Sequence, residues 1–133
     1  VPERYFTPED VERLIPRLTE IMERVMAAHA EVAQARAWLE GEERRITVAG
    51  GGVVVREAWR SAQARLERGA AAVQEGVTAI QALGGVTKDL SLGLVDFPHQ
   101  RQGRVVNLCW RYGEARITHW HGLDEGYARR KPL

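Results

Sequence analysis

The sequence predicts an α+β fold: a long antiparallel helical hairpin, coiled-coil-like, followed by a small three-stranded antiparallel β-meander. Three observations predict it. Apolar or small residues recur at heptad spacing over two long stretches, the glycine pair Gly84-Gly85 ends the second stretch, and beyond that pair the apolar period switches to two. The chain reads as a single unit, 1–133, with the hairpin over 7–85 and the meander with its C-terminal tail over 86–133.

The first helix opens at Thr7-Pro8-Glu9-Asp10. Thr7 suits the N-cap, Pro8 the first helical position, and the two acids the positive end of the helix dipole. Its seam runs Val11, Leu14, Leu18, Ile21, Val25, Ala28, Val32, Ala35, Leu39, with Pro16 expected to kink the second turn. Residues 41–52 read as the connection, closed by Gly50-Gly51-Gly52. These glycines lack the lysine and hydroxyl residue of a phosphate loop. The second seam runs Val55, Trp59, Ala62, Leu66, Gly69, Val73, Gly76, Ile80, Leu83. Folding the seams together sets Ala35 against Trp59, Val25 against Gly69 and Leu18 against Gly76, large facing small. Trp59 is then core, and Trp59→Ala should cost about 3–5 kcal/mol. Ile15, Met22, Ala70 and Val77 widen the apolar face beyond one seam, which calls for a cover: the meander, a second copy of the chain, or both.

Past Gly85, residues 94–97, 104–111 and 114–121 read as strands, the last two joined by a Tyr112-Gly113 turn. That turn pairs Trp110 with Ala115, Leu108 with Ile117, Val106 with His119 and Arg104 with His121. It places Cys109 on the face away from the histidines, a placement that a three-residue turn would reverse.

Composition narrows the classes. The 133 residues carry a net charge of +1, too little for a field that advertises nucleic acid or an anionic membrane. The single cysteine, Cys109, excludes an intrachain disulfide and a Cys-rich zinc module. No apolar run approaches the roughly 20 residues of a membrane span. The first ten residues lack signal-peptide character, so a cytoplasmic location is expected.

Several stretches carry a resemblance: Tyr5-Phe6-Thr7 with Leu14-Ile15-Pro16, then Lys88-Asp89-Leu90, Gly93-Leu94-Val95-Asp96-Phe97-Pro98, Gly103-Arg104, Leu108-Cys109-Trp110-Arg111, Gly113-Glu114, Trp120-His121, and Gly126, Arg130 and Pro132-Leu133. Together they resemble a bacterial family catalogued only as domain of unknown function 2203. The likeness spans nearly the whole chain outside the helical connection. It implies no activity, because none is established for the family.

Chemistry is therefore sought in the residues. His119 and His121 alternate on one side of a strand and can share a divalent metal, with Asp96 on the neighbouring strand as the acid that completes the site, its side left open because the loop from Pro98 to Gly103 frees the register by one residue, and with Asp124 or His99 as loop alternatives. Cys109, with no base on its face, reads as a small buried hydrophobe. Arg104, Arg130 and Trp120 are the candidate ligand-binding groups within a set of arginines and aromatics suited to phosphates or stacked bases. No complete catalytic set is visible. The leading expectation is an interaction module that homodimerises through the hairpin and presents the meander to a protein or a small anionic ligand. The rivals are a metal-dependent enzyme centred on His119 and His121, and a phosphate or nucleic-acid binder.

Overall fold

The computed structural model describes residues 4–48, 50 and 55–133. Val1 to Glu3, the start of the segment read as lacking leader character, and Gly51 and Gly52 of the connection lie outside the described residues. Two long helices, α1 (Pro8–Val48) and α2 (Arg56–Leu83), pack on each other. A five-stranded antiparallel meander follows: β1 (Val86–Asp89), β2 (Leu94–Arg101), β3 (Arg104–Arg111), β4 (His119–His121) and β5 (Lys131–Pro132), each strand beside the next. The α+β class stands, with five strands where three were expected.

At the start of α1, Thr7 Oγ1 accepts the Asp10 N–H at 3.1 Å and Asp10 Oδ2 accepts the Thr7 N–H at 2.9 Å, so two donors at the helix start are satisfied reciprocally. α1 runs through Pro16 and past Gly41 without a break. A helical glycine costs only about 1 kcal/mol, and Glu42 and Arg45 pair one turn apart in the extension. α2 ends where Gly84 adopts φ 103° and the Gly84 and Gly85 N–H groups bond back to Gln81 and Ile80. A Cβ at Gly84 would collide with the Phe6 ring, so glycine serves both the turn and the packing.

The longer α1 moves the hairpin register by one heptad from the expected one. Gly69 faces Val32, whose Cγ2 would lie 2.7 Å from an added Cβ, and Gly76 faces Val25. Trp59 does not meet Ala35; it lies half-buried against Trp38, ring centroids 6.3 Å apart. The expected cost of Trp59→Ala accordingly falls to about 1–2 kcal/mol, measurable by urea unfolding.

The sheet lies on the N-terminal half of α1 and the C-terminal end of α2. Val11, Ile15, Leu18, Met22, Val25 and Ile80 form one core with Phe6, Val95, Phe97, Leu108, Trp110 and Ile117. The apolar face widened by Ile15 and Met22 is thus covered by the chain's own sheet. Val95, Phe97, Leu108 and Trp110 take the inner face by strict alternation, which sends Asp96, Asn107 and Cys109 to the outer face.

The β2–β3 hairpin turns on two residues, Gln102 at φ 51° and Gly103 at φ 77°, the primed-turn geometry that matches strand twist. Pro98 sits inside β2, and its carbonyl accepts the Phe6 N–H at 2.7 Å. Its missing N–H points to that same side, so the ladder to β3 loses nothing. The Tyr112-Gly113 turn forms, with Glu114 N–H donating to the Arg111 carbonyl at 2.9 Å. The chain then leaves the ladder. Ile117 drops into the core, its N–H donating to Glu12 Oε2 at 2.9 Å, and Glu114 O accepts the Trp110 indole N–H at 3.0 Å. Pairing resumes only at Leu108 with Trp120 and Asn107 with His121. The expected Arg104–His121 register is therefore wrong by three residues.

Candidate metal centre on the outer face of the sheet

Counting across the ladder places the site. Asp96 lies opposite Cys109 on neighbouring strands, and His121 lies opposite Asn107 on the next. All three side chains point outward and are covered by the segment after β4, so that Asp96 is 2% exposed, His121 3% and Cys109 1%. One donor atom from each lies within 4.8 Å of the other two.

That covering segment is fastened at several points. Arg111 donates to the Tyr127 hydroxyl at 2.9 Å, Arg130 pairs with Glu114 at 3.0 Å and lies over the Tyr127 ring, and Glu125 accepts the Gly122 N–H at 2.8 Å while pairing with Lys131. Beneath it is a cavity of about 90 Å³, with Asp96, Cys109 and His121 in its wall. This exceeds the roughly 10–15 Å³ that a single water-sized probe needs, so an ion has room there.

The histidine tautomer follows from its partners. Nδ1 is 2.9 Å from the Gly122 carbonyl, which can only accept, so Nδ1 carries a proton. Nε2 then faces Asp96 Oδ1 at 3.0 Å. The second Asp96 oxygen, Oδ2, is buried with no hydrogen-bond partner among the described residues. Burial pushes the Asp96 carboxyl above its ordinary range, against the pull of His121, of the more distant Lys88 and of the neighbouring Cys109 thiol. Burial and the adjacent Asp96 charge push the Cys109 thiol to about 11.

The thiol prediction is direct. At pH 8 a group of that pKa is about 0.1% thiolate, against about a quarter for a free cysteine. Ellman's reagent should label the native metal-free protein at least ~100-fold more slowly than the urea-unfolded chain, and comparable rates would contradict this environment.

The structure distributes the expected site residues unevenly. Asp96 and His121 come together. His119 shares their strand face but lies two residues, about 6.7 Å, farther along, opposite Pro132 and bonded through Nδ1 to Thr118 Oγ1 at 2.8 Å. His99 is engaged elsewhere, its Nδ1 at 2.7 Å from the Phe6 carbonyl, and Asp124 is exposed in a turn. Cys109 is on the histidine's face, not the opposite one, because a three-residue register change inverts every side chain. The Gln102-Gly103 turn was the signal that could have placed it: a two-residue turn there fixes Asp96 against Cys109 by counting.

The arginines and aromatics are largely used within the fold. Trp120 lies between Arg101 and Lys131, each about 5 Å from its ring (4.9 and 4.8 Å). Arg111 gives Glu114 its backbone N–H at 2.7 Å. Arg104 stands exposed beside the β2–β3 turn, at the opposite end of β3 from the Arg130–Glu114 pair.

Fold and site together define a helical hairpin seated on an antiparallel meander, with a buried Asp–Cys–His group on the sheet's far face. The chain matches, over residues 4–133, the model of a family described as an uncharacterized conserved protein (DUF2203), and it belongs to that family. No curated protein and no solved structure matches it. No helix among the described residues is long and apolar enough to cross a membrane.

Proposed function

We propose that this is a metal-binding protein in which Asp96, Cys109 and His121 hold one divalent ion. The observation that carries the reading is three different donors converging in a buried cavity while Asp96 Oδ2 has no hydrogen-bond partner there. A bound cation supplies that partner and compensates the cost of burying the carboxylate. Mixed nitrogen, oxygen and sulfur donors suit zinc best. The Gly122 carbonyl holds the Nδ1 proton and leaves Nε2 as the ligand, the outer-sphere support usual for metal-bound histidine. Three protein ligands leave one tetrahedral position for water or substrate, the count of a reactive rather than a purely structural zinc. Such an ion supplies Lewis acidity and an acidic bound water. A cytoplasmic location, where thiols are kept reduced, suits Cys109 as a ligand.

The test is metal content of the untagged protein, beside Cys109→Ser, His121→Ala and His119→Ala. Near-stoichiometric metal is expected in the parent and in His119→Ala, and a loss of at least ~100-fold in affinity in the other two. Failure to bind zinc, cobalt, manganese or iron(II) would overturn the reading.

A second reading, homodimerisation, draws on the hairpin tip, where Trp38, Val48 and Val55 are exposed by 36%, 88% and 64%. Sedimentation at tens of micromolar should then show a dimer that Trp38→Glu dissociates. A monomer would end this reading.

A further inference from the structure

The cavity adjoins a larger cleft of about 920 Å³, and Lys88, Asp96, Asn107 and Leu123 line both. We infer that this cleft takes a small organic oxyanion, a carboxylate or phosphate on an apolar body, held between the metal and Lys88; the inference rests on the metal centre proposed above.

Charge is the first argument. The cleft's charged residues are Arg4, Lys88 and Asp96. The carboxylate and the Cys109 thiolate neutralise a divalent ion between them, so the two cations remain as net positive charge over an open coordination position. Arg4 is partly engaged, 3.9 Å from Asp10 and over the Phe6 ring. Lys88 makes no ion pair or hydrogen bond among the described residues and is exposed.

The backbone aims Lys88. The β1–β2 pairing slips between Thr87 and Asp89, so Lys88 is the unpaired residue of a bulge, a device that re-aims a side chain at a site. Val86, its neighbour on the same face, is opposite Asp96, which brings the ammonium to the side of the sheet that carries the centre.

The walls argue for an organic body. Tyr5, Pro98, Val105 and Leu123 give the cleft apolar surface, and its volume falls in the range that takes small ligands rather than a lone ion. The Asn107 side chain has no hydrogen-bond partner among the described residues and lies on the floor, able to read a polar group of the ligand.

The experiment uses the full chain loaded with cobalt(II), followed by its visible spectrum and by calorimetry. The probes are benzoate, phenyl phosphate, acetate and inorganic phosphate. An aromatic oxyanion is expected to perturb the cobalt bands and to bind at least 10-fold tighter than acetate or inorganic phosphate. Preference for benzoate assigns a carboxylate, and preference for phenyl phosphate assigns a phosphate. Lys88→Ala should weaken that binding at least 10-fold with the ligand-free cobalt spectrum unchanged, and Lys88→Arg should restore most of it. A cobalt-loaded protein that binds none of the four probes, or binds them equally well as Lys88→Ala, overturns this inference and leaves the metal centre standing. A chain that takes up no cobalt overturns both.

Discussion

Trp110→Ala is expected to lower the unfolding free energy by about 3–5 kcal/mol, read as a fall in the urea midpoint with the slope unchanged. Trp110 is fully buried and is the largest enclosed side chain among the described residues. It stands on the inner face of β3, in the core that joins the sheet to both helices. Its ring meets Tyr112 edge-on at 6.4 Å, and its indole N–H donates to the Glu114 carbonyl at 3.0 Å. Alanine therefore opens a cavity at the joint and leaves a carbonyl unpaired where the chain departs from the ladder. Trp110→Phe keeps most of the ring and loses only the bond, so it should cost about 1–2 kcal/mol. A loss below about 1 kcal/mol for the alanine variant would mean that the sheet is not seated on the helices as described.

What could be read from the sequence follows from which patterns repeat. The two helical seams are legible because burial along a helix is periodic. Their mutual register is not, because sliding one heptad along the other still sets large residues against small ones. Gly69 fits Val32 as readily as Val25, and only the length of α1 decides between them. Gly41 looked like a stop, yet one glycine's cost is spread over a 41-residue helix.

In the sheet, Val95, Phe97, Leu108 and Trp110 announce the inner face by alternation. β1 and β5 do not announce themselves, being short edge segments recruited by their neighbours. The site depends on parity as well as pattern. Ile117 leaves the ladder to fill the core, a tertiary demand invisible in local spacing, and the resulting odd offset turns the His121 side chain onto the face of Cys109. Asp96 and His121 were recognisable by type, and Cys109 was dismissed through a register that the Tyr112-Gly113 turn does not impose.

Breaking the Asp96–His121 pair should show why the fold keeps it. In the metal-free protein, His121→Leu is expected to cost about 3–5 kcal/mol near neutral pH, because it strands a buried carboxylate. Asp96 keeps the burial that already raises its pKa and loses the partner that opposes the rise. A folded-state pKa above the unfolded one contributes stability that is present below the unfolded value and lost as pH rises through the folded value. The single variant should therefore regain part of its stability as pH falls into the ordinary carboxylate range. Asp96→Val/His121→Leu removes both charges and fills the space with side chains suited to a strand. Its unfolding free energy should return to within about 1 kcal/mol of the metal-free parent, since buried ion pairs rarely outperform apolar replacements. The double variant should bind no metal. If it instead remained as unstable as His121→Leu, the pair would be a structural element and the case for a metal centre would lose its physical basis. Recovery of stability with loss of metal would leave only the ion to explain a costly Asp–His pair on the far side of a sheet whose core is already complete without it.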